Sequence, residues 1–600
     1  MTLNHFKNRL LVLERFGKLV AIERSASMSS LVSNRTFAGL AIVIVFLSLC
    51  FRLGHLPLME PDEGRNAEVG REMKESGAWL VPTYNGVDYL DKPAFYFKTV
   101  ALSLAIFGQN ETAARIPSAA FGVGLVVMVV AFCRKVHGAR CGWLAAIVVA
   151  TMPLYFTNAR TVIFDIALAF FVCGAIFAGY LAEATSGKAR RIWYLCGAAS
   201  AGLATLVKGP VGFLIPTLVL LCFNRLEGRQ GAWKRLFAPL NLVMFFGITL
   251  PWFVGLCFAH RDFFHYGLIV ESFERFTTAR RFQRSEPVYF YLPIIAGLFF
   301  PWSLLLPEAS LATWKERWAK HPADRLCVLW SAVVIVFFSL SQSKLPGYIL
   351  SVTVACGILM ARLLEAAVTA PEGKAARILA RGTTVFAVLC LLAALVPLLG
   401  VSQAHLLSKP LRIDVAEAKQ IGQWARPLAL LLAGFGAFAL FARYRHNASL
   451  CILCLAAFPP LLIHLNAGVI DAVFDAKSGR RIACQLAALP EETELACLEC
   501  FPNGLSFYLR RRVTLISRDG HELTSNYIVS SLEKGRHWPP QIVPLADFDG
   551  WLASRKAPVC LVVRSEDRKR QKTLAAARGA SFHALSPDFL VAQLPTPGGP

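Results

Sequence analysis

Apolar runs of about 20 residues recur from residue 36 to residue 466, each long enough to cross the hydrocarbon core of a bilayer. They predict thirteen membrane spans, near 36–56, 113–132, 140–157, 161–182, 192–207, 209–224, 238–259, 288–306, 325–341, 345–364, 382–401, 426–442 and 448–466. The pattern changes over residues 57–112. Asp62, Glu63, Arg65, Glu68, Arg71, Glu72, Asp88, Asp91 and Lys92 crowd its first part. Pro61 suits a first helical turn, Asp62 and Glu63 complement a positive helix end, and Gly77 can close the helix. Residues 94–107 are apolar but too short to span. They predict a helix lying in the interface, anchored by Phe95, Tyr96 and Phe97. Beyond residue 466 the hydrophobic runs shorten. Short β-rich runs at 513–517 and 559–563 alternate with polar helical stretches such as 568–578. The pattern therefore predicts a tail over 1–35, a polytopic α-helical membrane region over 36–466, and a small soluble α/β domain over 467–600.

Composition agrees with the pattern. Of 600 residues, 55% are hydrophobic and 17% charged, where a soluble domain has roughly 45–50% and 25%. The net charge of +23 would point to nucleic acid in a soluble protein. Here it follows from basic residues collecting in cytoplasmic loops, and no basic stripe with interleaved aromatics speaks for a nucleic-acid partner. The N-terminal tail and the loops near 133–140, 183–191, 225–237, 307–325, 365–381 and 443–447 are all basic and fall on one side of the thirteen spans. That side is cytoplasmic, so 57–112 and the chain after 467 face outward. One outward loop, 260–287, breaks the charge rule with Arg261, Arg275, Arg280, Arg281 and Arg284. A phosphate headgroup gives a reason, because guanidinium binds phosphate bidentately; contact with anionic lipid is the alternative. Twelve of the 16 cysteines lie in or beside apolar runs, as small hydrophobes. Cys497 and Cys500 form a C-x-x-C open to a disulfide, a redox pair or, less readily, zinc.

The outward face collects the candidate chemistry. Asp62 can accept a hydroxyl proton, hold a metal, or cap a helix. Asp165 lies inside the fourth span, where a carboxylate is a functional candidate; pairing with Arg160 or snorkelling is the alternative. Lys92 precedes Pro93 and is held extended. It is either a point-charge phosphate ligand or half of a surface pair with Asp91. Lys208, before Gly209-Pro210, and Lys344, in Ser343-Lys344-Leu345-Pro346-Gly347-Tyr348, fall at outward turns. Taken alone, each reads as a snorkelling cation. Carboxylates among cations fit a lipid-phosphate substrate. No Gly-rich phosphate loop, H-E-x-x-H or G-x-S-x-G element appears, so ATP-driven transport and serine hydrolysis have no support.

P-D-E-G-R-N-A-E-V-G-R-E-M (61–73), followed by Y-L-D-K-P (89–93), resembles the first outward loop of bacterial lipid A 4-amino-4-deoxy-L-arabinose transferases. These belong with the protein O-mannosyltransferases in the GT-C superfamily of membrane glycosyltransferases. The stretches at 159–165, 205–210, 274–276 and 343–348 recur in the same order. The resemblance implies a GT-C fold of about 13 transmembrane helices with a periplasmic α/β domain. It implies inverting transfer of one sugar from a polyprenyl (undecaprenyl) phosphate carrier to a periplasmic-side acceptor, lipid A or another envelope glycolipid. Asp62 matches the catalytic loop aspartate. Arg65, Lys92 and Arg275 match carrier-phosphate ligands, with Lys208, Lys344 and Tyr348 on the same face. Asp91 and Asp165 match acidic residues near a divalent metal. The family pattern at the second motif is Glu-Lys-Pro, where this chain has the shorter Asp91. Within the superfamily the rival acceptor is protein or O-antigen. Outside it the rival is a lipid transporter or flippase, for which charges near the midplane and internal repeats are expected.

Overall fold

The computed structural model describes residues 34–267, 286–318, 320–400, 422–476, 478–490, 492–533, 538–578 and 580–594. A helix occupies each of the thirteen predicted segments. Eight are long and apolar enough to cross a membrane. Ala139–Thr151 and Pro153–Ala159 form a ninth that bends by 74°, where Pro153 supplies no backbone N–H. Asn34–Leu49, Val211–Leu226 and the 288–298 segment are shorter. Gly187–Lys208 has the length but carries Lys188, Arg190, Arg191 and Lys208 at its ends. The protein is a multi-pass helical membrane protein with a C-terminal β-containing domain.

The predicted helix after Pro61 runs Asp62–Ser76 and closes on Gly77 at φ +67°. Its charges do not form a solvated face: Glu63, Arg65, Glu68, Arg71 and Glu72 are all buried. Arg115 grips both Glu63 oxygens at 2.9 and 2.8 Å and also donates to the carbonyls of Leu53, Leu56 and Pro57. Arg71 forks onto Glu68, both bonds at 2.6 Å. Glu72 accepts from the Thr83 hydroxyl and the Gly86 amide. Most of the loop's charge is thus spent on fixing the loop.

The short apolar segment is the Phe95–Phe107 helix, but its anchors differ from expectation. Tyr96 and Phe97 are fully buried, and the exposed large apolar residues are Leu102, Ile106 and Phe107. The helix packs Val100 and Ala101 against Gly70 of Asp62–Ser76, while Tyr96 meets Ser118 and Phe164 and Phe97 meets Tyr89.

The C-terminal domain carries a six-stranded sheet in the order Ile542–Pro544, Thr514–Ser517, Glu494–Leu498, Val559–Arg564, Phe589–Leu594, Ser581–Ala584. The first four strands are parallel and the last two pair antiparallel. Successive side chains point to opposite faces, and the two faces have different fates. Cys497, Leu515 and Val562 join the same core as the membrane helices, while Ala496, Leu498, Ile516, Leu561 and Val563 form a second core under the domain's own helices. Cys497 and Cys500 are buried free thiols. Their mutual hydrogen bond, with burial, pushes the Cys497 thiol well up, the opposite of what a reactive thiolate needs.

Candidate active site

Asp62 begins its helix without capping it. Its carboxylate pairs with the Arg65 guanidinium one turn on and stays 50% exposed. Arg65 is buried, and its Nη1 donates to the Thr524 carbonyl at 3.0 Å and the Thr524 hydroxyl at 2.7 Å. Its guanidinium lies 5.8 Å from the Tyr89 ring centre. Burial works against its charge, but Tyr89, Asp62, Tyr84 and Asp91 outweigh it and move its pKa up. Arg65 is therefore a permanent cation.

A second group sits around Phe164. The Lys92 ammonium lies 6.0 Å from that ring's centre and the Lys208 ammonium 5.1 Å. Lys92 also donates to the Asp91 carbonyl at 2.6 Å and is buried, so it is no surface ion pair. Lys208 pairs with Asp165 and lies 4.6 Å from the centre of the Tyr348 ring. Arg160, the partner weighed for Asp165, instead donates to the carbonyls of Ser48 and Arg52. Gly347 sits close to this pair: a Cβ there would stand 3.2 Å from the Asp165 carboxyl carbon. Lys344 is buried nearby in sequence and donates to the Glu286 carbonyl at 2.7 Å. Arg275 lies outside the described residues.

The residues that sequence reasoning missed come from elsewhere in the chain. Asp91 Oδ1 accepts from the Tyr266 hydroxyl at 2.5 Å and the Tyr527 amide at 2.9 Å. Thr524 and Tyr527 belong to the C-terminal domain, which therefore reaches both Arg65 and Asp91. Gly64, inside the P-D-E-G-R stretch, gives the one available signal. A Cβ on it would lie 2.5 Å from the Gly504 backbone nitrogen, so this glycine marks where the domain lands.

A divalent metal fits Asp91 and Asp165 poorly. Each carboxylate already receives donors: a hydroxyl and an amide on Asp91, an ammonium on Asp165. These compete with a cation instead of supporting one. Among the described residues no group of three or more His, Cys, Asp or Glu side chains is placed to hold a metal. What these groups can do is neutralise an anion: Arg65, Lys92 and Lys208 are cations beside the Tyr89, Phe164 and Tyr348 rings.

Residues 35–266 match the family described as dolichyl-phosphate-mannose-protein mannosyltransferase. An undecaprenyl phosphate-alpha-4-amino-4-deoxy-L-arabinose arabinosyl transferase of an Enterobacter species is 30% identical over 407 residues, 66% of this chain and 71% of its own length. This chain belongs to that transferase family. The Yersinia enterocolitica member is 28% identical over 91% of this chain and 97% of its own length. The family's fold is also present. The crystal structure of ArnT from Cupriavidus metallidurans bound to undecaprenyl phosphate superimposes with a TM-score of 0.76 at 26% identity, covering 94% of this chain and 98% of its own. The same protein in the apo state gives a TM-score of 0.75.

Proposed function

We propose that this protein moves one sugar, 4-amino-4-deoxy-L-arabinose, from an undecaprenyl phosphate carrier to lipid A at the periplasmic face of the inner membrane. The observation that carries this reading is the full-length likeness to a family member solved with undecaprenyl phosphate. The donor's sugar–phosphate bond lies beside the Arg65, Lys92 and Lys208 cluster. Lys344 and Tyr348 complete the phosphate-binding face, and the family resemblance gives Arg275 the same role. The acceptor oxygen attacks the anomeric carbon opposite the leaving group. The C–O bond to phosphate breaks, its electron pair stays on the phosphate oxygen, and undecaprenyl phosphate is released. The cations stabilise the charge that develops there. An acceptor phosphate is already anionic and needs no base, and Asp62 then orients Arg65. With a hydroxyl acceptor, Asp62 takes the proton.

Reconstitution tests the reading. Purified protein in vesicles with undecaprenyl phosphate-aminoarabinose and lipid A should yield lipid A heavier by one aminoarabinosyl unit. Sugar appearing only on O-antigen or protein would move the acceptor assignment. Translocation of the donor lipid with no new glycoside would replace the transferase by a flippase. A reporter active only in the cytoplasm, fused after residue 600, should stay silent if the site is periplasmic.

A further inference from the structure

The Arg65 guanidinium is held from outside the membrane region. Thr524 offers it two acceptors, its carbonyl and its hydroxyl. That hydroxyl is itself oriented, because it donates to Asn503 Oδ1 at 3.1 Å. Asn503 Oδ1 also accepts from the buried Tyr84 hydroxyl at 2.8 Å. With its one proton committed to Asn503, Thr524 can only accept from Arg65.

The backbone reinforces the point. Thr524 sits at φ +53°, ψ +32°, a left-handed conformation that is a genuine outlier for a β-branched residue. Such strain persists where the surroundings over-determine it, and it clusters at functional sites. Three residues on, the Tyr527 amide bonds Asp91. That amide belongs to the first turn of the Asn526–Glu533 helix, whose N–H groups have no partner within the helix. One short segment of the C-terminal domain therefore holds two residues of the candidate site, Arg65 and Asp91.

We propose that the 520–527 segment of the C-terminal domain is a working part of the active centre, with Thr524 as the positioning residue that aims Arg65 at the carrier phosphate. This rests on the phosphate-binding role assigned to Arg65 above. Thr524 touches neither substrate nor the reacting atoms; it acts through Arg65. The bonds it contributes are to a charged group, so losing its hydroxyl should weaken carrier binding about tenfold.

The test measures binding of undecaprenyl phosphate alone to the full chain in detergent. Thr524→Gly is the main variant, since glycine adopts φ +53° without strain and keeps the carbonyl acceptor while removing the hydroxyl. Expected are a roughly tenfold loss for Thr524→Gly and rescue to within about threefold by Thr524→Ser. In an Arg65→Lys background, Thr524→Gly should cause no further loss, because residues acting as one unit are not additive. Additive losses would overturn the proposal, leaving Thr524 with a structural role only. Wild-type affinity in Thr524→Gly, with weakened binding in Arg65→Lys, would overturn it while leaving Arg65 a phosphate ligand. Wild-type affinity in Arg65→Lys would remove the phosphate role, and this proposal with it.

Discussion

The two ends of the Asp165–Glu183 helix bury charge in different ways. At the C-terminal end, Arg235 meets Glu183 as a fork, Nε on one oxygen at 2.8 Å and Nη2 on the other at 2.7 Å. Arg325 and Glu227 repeat the arrangement at 2.6 and 2.8 Å. At the N-terminal end, Asp165 meets a single lysine, Lys208, between the rings of Phe164 and Tyr348. A planar fork matched to a carboxylate is fixed by geometry. An ammonium on a flexible stem is a point charge that can exchange one anion for another. The same helix therefore carries a closed pair at one end and an exchangeable one at the other. Only the exchangeable end faces the candidate site.

The sharpest ways to break this comparison lie at the two pairs of the candidate site, Asp62–Arg65 and Asp165–Lys208. Asp62→Asn should lower transfer by about a thousandfold if Asp62 serves as base for a hydroxyl acceptor. The loss should be much smaller with a phosphate acceptor, and steady-state rates on both acceptor types decide between them. Lys208→Met should cost about 100- to 1,000-fold in turnover, the usual effect of removing one donor from developing charge. Its thermal midpoint should also fall, because Asp165 is left without its ammonium, so turnover is read on the folded fraction. Arg235→Met should lower stability without that loss of turnover. It leaves the buried Glu183 carboxylate with the Tyr194 hydroxyl as its remaining hydrogen-bond donor and should destabilise the protein by about 1–3 kcal/mol, discounted from the full cost of breaking a buried pair because Arg235 is a third exposed. The folded fraction should keep its turnover within about twofold, where a buried-pair loss is purely structural. If Arg235→Met lost turnover as Lys208→Met does, the two ends would not differ in kind.

The same contrast explains what was legible in the sequence. Helices could be read because membrane spans demand long apolar runs, and the Asp62–Ser76 helix because Pro61 and Gly77 bracket it. Lys208 and Asp165 could be singled out because charge at a span's end is costly. Their pairing could not, since it needs the 43-residue return of the chain. Tyr96 and Phe97 were misplaced for a related reason: apolarity says that a residue avoids water, not whether lipid or protein covers it. Thr524, Tyr527 and Tyr266 were invisible because ordinary polar residues acquire meaning only from the carboxylate or guanidinium they meet. The 520–527 segment lies more than 400 positions from the residues it holds, beyond any local pattern.

Glu60 gives the smallest and most specific test, because it is a carboxylate bound by neither a fork nor a lysine. Its Oε1 accepts from the Gly504 amide at 2.7 Å and the Gly479 amide at 3.3 Å. Its Oε2 is buried with no hydrogen-bond partner among the described residues. Burial pushes its pKa up from 4.5 to about 7, against the lowering effect of the Gly504, Asn503 and Gly479 amides and of Arg65. The folded protein therefore binds this proton more tightly than the unfolded chain does. By linkage, the contribution to stability is fully present below about pH 4.5 and is lost as pH rises through about 7. Glu60→Gln keeps an oxygen for the two amides and cannot titrate. Between about pH 7.5 and 5, wild type should gain about 1–2 kcal/mol relative to this variant. Thermal midpoints of the two proteins across that range supply the measurement. Parallel curves would mean that Glu60 reaches water in the folded protein. A gain for wild type in the alkaline direction would mean that the amides of the C-terminal domain stabilise its charge after all, as the arginine fork does for Glu183.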